Sequence, residues 1–67
     1  MQIGDTITIL PSFTLTSLRL DDLIGEDGVV MSMQCHGSKI YGCWVRLSEP
    51  YMEENEWFIP YSSIGRI

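Results

Sequence analysis

Cys35, His36 and Cys43 are the residues whose types and spacing come closest to a reactive site. A thiol beside an imidazole suggests either a metal site or a histidine-activated nucleophile. A structural zinc site uses four ligands, and the chain holds neither a third cysteine nor a second histidine. Strand alternation also sends His36 to one face while Cys35 and Cys43 point to the other. Both cysteines are therefore expected inside, packed as small apolar side chains. The strand register derived below makes them diagonal neighbours, roughly 7–8 Å apart, which is too far for a comfortable disulfide. Glu53, Glu54 and Glu56 form the other cluster. They lack the glycine-bearing loop of a calcium site and have no base beside them, so they read as a solvated loop. Met31 and Met33 read as core fillers. No catalytic residue, metal site or cofactor is expected, and the chain is read as a non-enzyme.

The aromatic residues are more informative. Trp44 and Phe58 leave the apolar faces of their strands, Tyr51 sits in a loop and Tyr61 in a turn. Exposed rings grouped on one surface mark contact sites. Trp44, Phe58, Tyr61 and Tyr51 are thus the candidate binding groove. The competing possibility is that residues 12–25 cover these rings as a second small core.

The elements that must position them follow from periodicity. Ile3, Ile7 and Ile9 share one face of a first strand that Pro11 ends, with Thr6 and Thr8 opposite. Residues 12–25 form a long excursion whose leucines act as a lid, with a helical turn over 20–24 stopped by Gly25. In the second strand, 28–36, the inward set is Val29, Met31, Met33 and Cys35. In the third, 40–48, it is Tyr41, Cys43, Val45 and Leu47. Paired residues point to the same side of a sheet, so these faces match when Met33 lies opposite Cys43 and Met31 opposite Val45. That pairing requires a three-residue loop, Gly37-Ser38-Lys39. Residues 49–55 are an acidic loop. A fourth strand spans 56–60, with Trp57 and Ile59 inward. Pro60 to Ser63 is one tight helical turn, and 64–67 is the last strand. Five short strands with a long first connection imply an all-β fold, a small closed barrel.

Size and charge set the remaining limits. The 67 residues allow one domain, 1–67, and 45% apolar residues suffice for a thin core. Nine acidic residues against four basic ones give a net charge of −5, which repels phosphate backbones and argues against nucleic-acid binding. Residues 1–5 carry no targeting signal, and no run is long and apolar enough to span a bilayer. A complete cytoplasmic protein starting at Met1, with no membrane association, is the expectation.

Gly25-Glu26-Asp27-Gly28-Val29-Val30 is similar to the glycine-rich heart of the KOW motif. Glu56-Trp57-Phe58-Ile59-Pro60-Tyr61-Ser62-Ser63-Ile64 resembles the end of SH3-like domains, and Gly4-Asp5-Thr6-Ile7 looks like their entry to the first strand. The resemblance implies a five-stranded SH3-like barrel with a long first loop and one 3₁₀ turn before the last strand. It also implies a groove in which Trp44 and Tyr61 hold broadly matching places. The chain departs from peptide-binding SH3 domains: Ser62 and Ser63 follow the proline, and the early tyrosine-rich segment is missing. It departs from basic KOW domains in carrying Asp21, Asp22, Glu26 and Asp27 around the motif.

The expected function is protein–protein interaction through an exposed aromatic patch, with a protein partner. The alternative is an RNA- or ribosome-associated KOW-like barrel, which needs Arg19, Lys39, Arg46 and Arg66 on one face. A homodimer by strand-edge pairing is also compatible with a small barrel.

Overall fold

The computed structural model describes residues 2–66 and the side chains of residues 2–65. It is all-β: β1 (Thr6–Ile9), β2 (Asp27–His36), β3 (Lys39–Tyr51), β4 (Glu54–Pro60) and β5 (Ile64–Arg66) form one antiparallel, strongly curled sheet in the order β4-β3-β2-β1-β5. The first connection carries a short helix, α1 (Phe13–Ser17), and a 3₁₀ turn at Asp21–Leu23. A second 3₁₀ turn, Tyr61–Ser63, precedes β5, as the Pro60-Tyr61-Ser62-Ser63 sequence leads one to expect. The sheet curls into a half-barrel with β4 and β5 as its two ends. The expected positions of Met1 and Ile67 lie outside the described residues.

One apolar surface closes over the inside of the curl. Ile7 and Ile9 from β1, Val30 from β2, Cys43, Val45 and Leu47 from β3, and Ile59 from β4 are buried there, joined by Leu15, Leu20 and Leu23 from the first connection. Trp57, Tyr51, Met33 and Ile64 pack around them, half-buried. The long excursion does supply a leucine lid, although Phe13 and Leu18 remain exposed.

The hairpin of β2 and β3 departs from simple alternation in two places. Val30 pairs with Val45 but Ser32 with Trp44, so Met31 is an extra residue on β2. Gln34 pairs with Gly42 but Cys35 with Ile40, so Tyr41 is an extra residue on β3. Each irregularity is a β-bulge, and the two offset one another. The expected Met33–Cys43 pairing is present, but Val45 lies opposite Val30 rather than the expected Met31, and the turn has two residues, Gly37-Ser38, rather than three. Gly37 has φ 62°, the left-handed conformation that a two-residue hairpin turn with glycine first demands.

The bulges redistribute the faces. Val30 is fully buried and Val29 is exposed, the reverse of strict alternation, because the register changes only after Val30. Beyond the second bulge Tyr41 turns outward, and Cys35 is exposed. Ile3 also lies outside β1, in an exposed turn. β3 runs on to Tyr51 instead of ending in a loop. Four of its residues, Leu47 to Pro50, stand against Asn55 alone between the Arg46–Glu56 and Tyr51–Glu54 pairs. That irregular stretch accommodates Pro50, which has no N–H for a regular ladder.

The first connection is fixed at both ends of α1. The Ser12 hydroxyl accepts from the Leu15 N–H at 3.1 Å and also bonds the Ser63 hydroxyl. At the other end Leu20 N–H donates to the Leu15 carbonyl (3.2 Å) and Arg19 N–H to the Thr16 carbonyl (2.9 Å). This is a Schellman cap, with Arg19 at φ 60° where glycine is usual and Leu15 and Leu20 both in the core.

Ser63 is fully buried, and Ser12 is its hydroxyl partner. Ser12→Ala is expected to cost about 2–3 kcal/mol, part from the lost cap and the larger part from an orphaned hydroxyl. Adding Ser63→Ala should return most of the second part, since removing both partners leaves nothing unsatisfied. Urea unfolding of the single and double variants reads this directly. A double variant that loses more than the single one would contradict the pairing.

Candidate functional site

The outer face of β3 and β4 is built from cross-strand pairs. Trp44 lies opposite Phe58, and Arg46 opposite Glu56. The rings of Trp44 and Phe58 meet edge to face, with centroids 5.8 Å apart and planes at 67°. Such a contact adds about 0.5–1.5 kcal/mol to the burial of the rings. Gly42 makes room for it. A Cβ built on Gly42 would stand 2.6 Å from Phe58 Cζ and 2.4 Å from the Ile59 carbonyl oxygen.

An open depression of about 350 Å³ runs along β4, lined by Leu18, Leu20, Trp44, Trp57, Phe58, Glu54 and Glu56. Its floor is apolar and its carboxylates come from β4. The Trp57 indole N–H donates to the Glu54 carbonyl at 3.0 Å, which holds the second tryptophan in place. The first connection contributes a wall, through Leu18 and Leu20, and leaves Trp44 39% exposed. The excursion therefore shapes this groove without sealing it.

The four rings singled out in the sequence do not form one patch. Trp44 and Phe58 share the groove. Tyr51 packs edge to face on Trp57 (5.4 Å, 61°) and donates a hydrogen bond of 3.0 Å to Asp22. That bond, with smaller contributions from partial desolvation and the Asp22 charge, raises the Tyr51 phenol above its ordinary value. Tyr61 lies elsewhere, in a depression of about 520 Å³ shared with Ser38, Lys39, Ile40 and Tyr41. Two contributors were missed by alternation alone. Trp57 was assigned to the core and lines the groove as well, and Leu18 joins from α1's C-cap.

The basic residues are dispersed. Arg46 bridges to Glu56 at 3.5 Å, with both side chains about half exposed, and borders a polar hollow with Glu54, Asn55 and Glu56. Lys39 is in the Tyr61 depression. Arg19 caps α1, and the Arg66 side chain lies outside the described ones. Among the described residues no three His, Cys, Asp or Glu side chains are gathered to hold a metal ion. None of their helices is long and apolar enough to cross a membrane.

The cysteines occupy different environments. Cys43 is fully buried, and burial, reinforced by Cys35, pushes its thiol above the ordinary value of 9.0. Cys35 is exposed, contrary to the expectation from alternation. Iodoacetamide is thus expected to modify Cys35 rapidly and Cys43 only on unfolding, because the thiolate is the reactive form. Mass mapping after a short exposure at mildly alkaline pH checks this. The sign for stability also follows. Cys43 contributes fully below the pKa of the unfolded thiol, and its contribution is lost as pH rises through the higher folded value. Equal labelling of both thiols in the folded chain would contradict this assignment.

Comparison with protein-family models, with curated proteins and with solved structures found no match to this chain.

Proposed function

We propose that this chain is a small SH3-like barrel that acts as a non-catalytic protein-binding module in the cytoplasm, with the Trp44–Phe58 groove along β4 as its contact surface. The observation that carries this reading is the open apolar groove itself. Two tryptophans and a phenylalanine line it on a sheet edge, and one of them stays 39% exposed. Aromatic rings in a shallow apolar site are the usual anchors of protein interfaces. The fold assignment draws further support from the Pro60–Ser63 segment, which forms a 3₁₀ turn leading into the final strand, and from Gly28. A Cβ on Gly28 would come within 2.3 Å of Val45 Cγ1, a physical reason for glycine at that place of the KOW-like motif.

Tyr61 has a different place in this reading. It belongs to a separate surface and is not required for the groove. Trp44→Ala is expected to weaken partner binding about 30-fold, the consequence of deleting one interface anchor, with a far smaller effect from Tyr61→Ala. Affinity capture followed by calorimetry on the captured partner measures both. A partner held equally by the wild-type and Trp44→Ala proteins would remove the groove from the reading, provided the variant's circular dichroism shows it folded.

A further inference from the structure

β4 is an end strand of the sheet, pairing with β3 on one side only. Its outer row, at every second residue, reads Glu54, Glu56, Phe58. Two residues along a strand are about 6.6 Å apart, so this row is a ruler with two carboxylates and one ring. Beside Phe58 the floor of the groove is supplied by Trp44. Among the described side chains, Arg46 alone offers positive charge beside Glu56, at 3.5 Å and half exposed, and Glu54 has no cationic partner.

Resting on the binding-module reading above, we infer that the unpaired edge of β4, which faces the groove walled by Leu18 and Leu20, receives an extended, cationic segment of a partner protein as an added antiparallel strand. Strand addition of this kind draws affinity from main-chain hydrogen bonds and specificity from alternate side chains. The outer row then sets a pattern. An antiparallel segment meets Phe58 first, Glu56 next and Glu54 last. It therefore carries an apolar residue followed, at successive second positions, by two basic ones. The apolar side chain enters the groove against Trp44 and Phe58, while the basic pair faces Glu56 and Glu54 as cross-strand ion pairs.

Charge selects this occupant over a second copy of the chain. Antiparallel pairing of two β4 strands centred on Glu56 would set Glu56 against Glu56 and leave Glu54 facing a ring. Like charges directly opposite are destabilising, and each chain carries a net charge of −5. The same net charge favours approach by a basic segment and accelerates it at low salt.

The test uses the whole chain, isotopically labelled, with two capped probe peptides at millimolar concentration: Thr-Leu-Thr-Lys-Thr-Arg-Thr and its acidic counterpart Thr-Leu-Thr-Glu-Thr-Glu-Thr. The basic peptide is expected to shift the amides of Glu54 to Phe58 and the Trp44 indole. The acidic one should bind about tenfold more weakly, as two cross-strand charge pairs imply. The double variant Glu54→Gln, Glu56→Gln is surface-exposed and should fold normally while erasing that difference. Equal binding of both peptides, binding of neither, or shifts that bypass β4 would each overturn the inference. So would light scattering that shows the free chain as a dimer whose β4 amides are protected. If both peptides move Trp44 and Phe58 alike, the cationic strand falls and the aromatic groove survives. If Trp44→Ala leaves partner capture intact, the groove itself falls, whatever the peptides do.

Discussion

Gly42→Ala is expected to destabilise the chain by about 3 kcal/mol and to separate the Trp44 and Phe58 rings, a large effect for a single methyl group. The added Cβ would meet the Ile59 carbonyl oxygen at 2.4 Å and Phe58 Cζ at 2.6 Å. The ring can swing away, but the carbonyl belongs to a neighbouring strand that pairs directly with Gly42 and its successor. Relief therefore means parting β3 from β4 at the point where the groove is built. For a chain this size the loss corresponds to roughly 10–20 °C in melting temperature. Near-ultraviolet circular dichroism should lose the signal of the coupled rings in the same variant.

Gly28→Ala supplies the control. Its Cβ would meet Val45 Cγ1 at 2.3 Å and the Arg46 carbonyl oxygen at 2.9 Å, on the opposite face of the sheet. It should destabilise by a similar amount while leaving the ring signal of the remaining folded molecules unchanged. If Gly42→Ala melted like wild type, the close approach of Phe58 over β3 would be wrong, and the groove would lose its shape.

The inner and outer assignment of most strands was legible because burial selects one face. Ile7 and Ile9, Cys43, Val45 and Leu47, and Trp57 and Ile59 all lie where alternation puts them. The errors gather at the bulges. Val29 and Val30 are both β-branched and apolar, so nothing in their chemistry says which one faces in. The register slip at Met31 decides it, and such a slip goes with sheet curvature, a property of the assembled sheet. The hairpin turn shows the same thing. Matching of faces required an odd offset between β2 and β3, and the loop was the simplest place to put it. The structure places the offset within β3, at Tyr41, and keeps the shorter turn. Cys35 lies just beyond that point and is exposed for the same reason.

The groove was half legible. Trp44 and Phe58 announce themselves as large rings on a polar row. Their convergence depends on Gly42, whose lack of a side chain is silent in a hydropathy pattern, and on Leu18, which arrives from a connection without strand periodicity. Tyr61 and Tyr51 were grouped with them on residue type alone. The topology sends Tyr61 toward the Gly37-Ser38 hairpin and Tyr51 onto Trp57 and Asp22.

Replacing Met52-Glu53 with Asn-Gly is expected to raise stability by about 2 kcal/mol, or roughly 10 °C in melting temperature. Tyr51 pairs with Glu54, so these two residues form the entire loop between β3 and β4. Their φ values are 50° and 69°, consecutive left-handed residues of the kind a type I′ turn imposes. Neither methionine nor glutamate suits that conformation, and each incurs roughly 1 kcal/mol from the crowding of its Cβ. Met52 is 73% exposed, so removing its side chain sacrifices little packing. Thermal unfolding measures the gain, and a destabilised variant would show that Met52 or Glu53 makes contacts outweighing the backbone relief. The substitution also separates strain from binding. Glu53 is not on the outer row of β4, so the basic probe peptide should bind the stabilised variant as it binds wild type. An unfavourable turn kept beside a contact surface is a common sign of function. Here a variant both more stable and weaker in peptide binding would extend the contact surface from the strand edge to the turn.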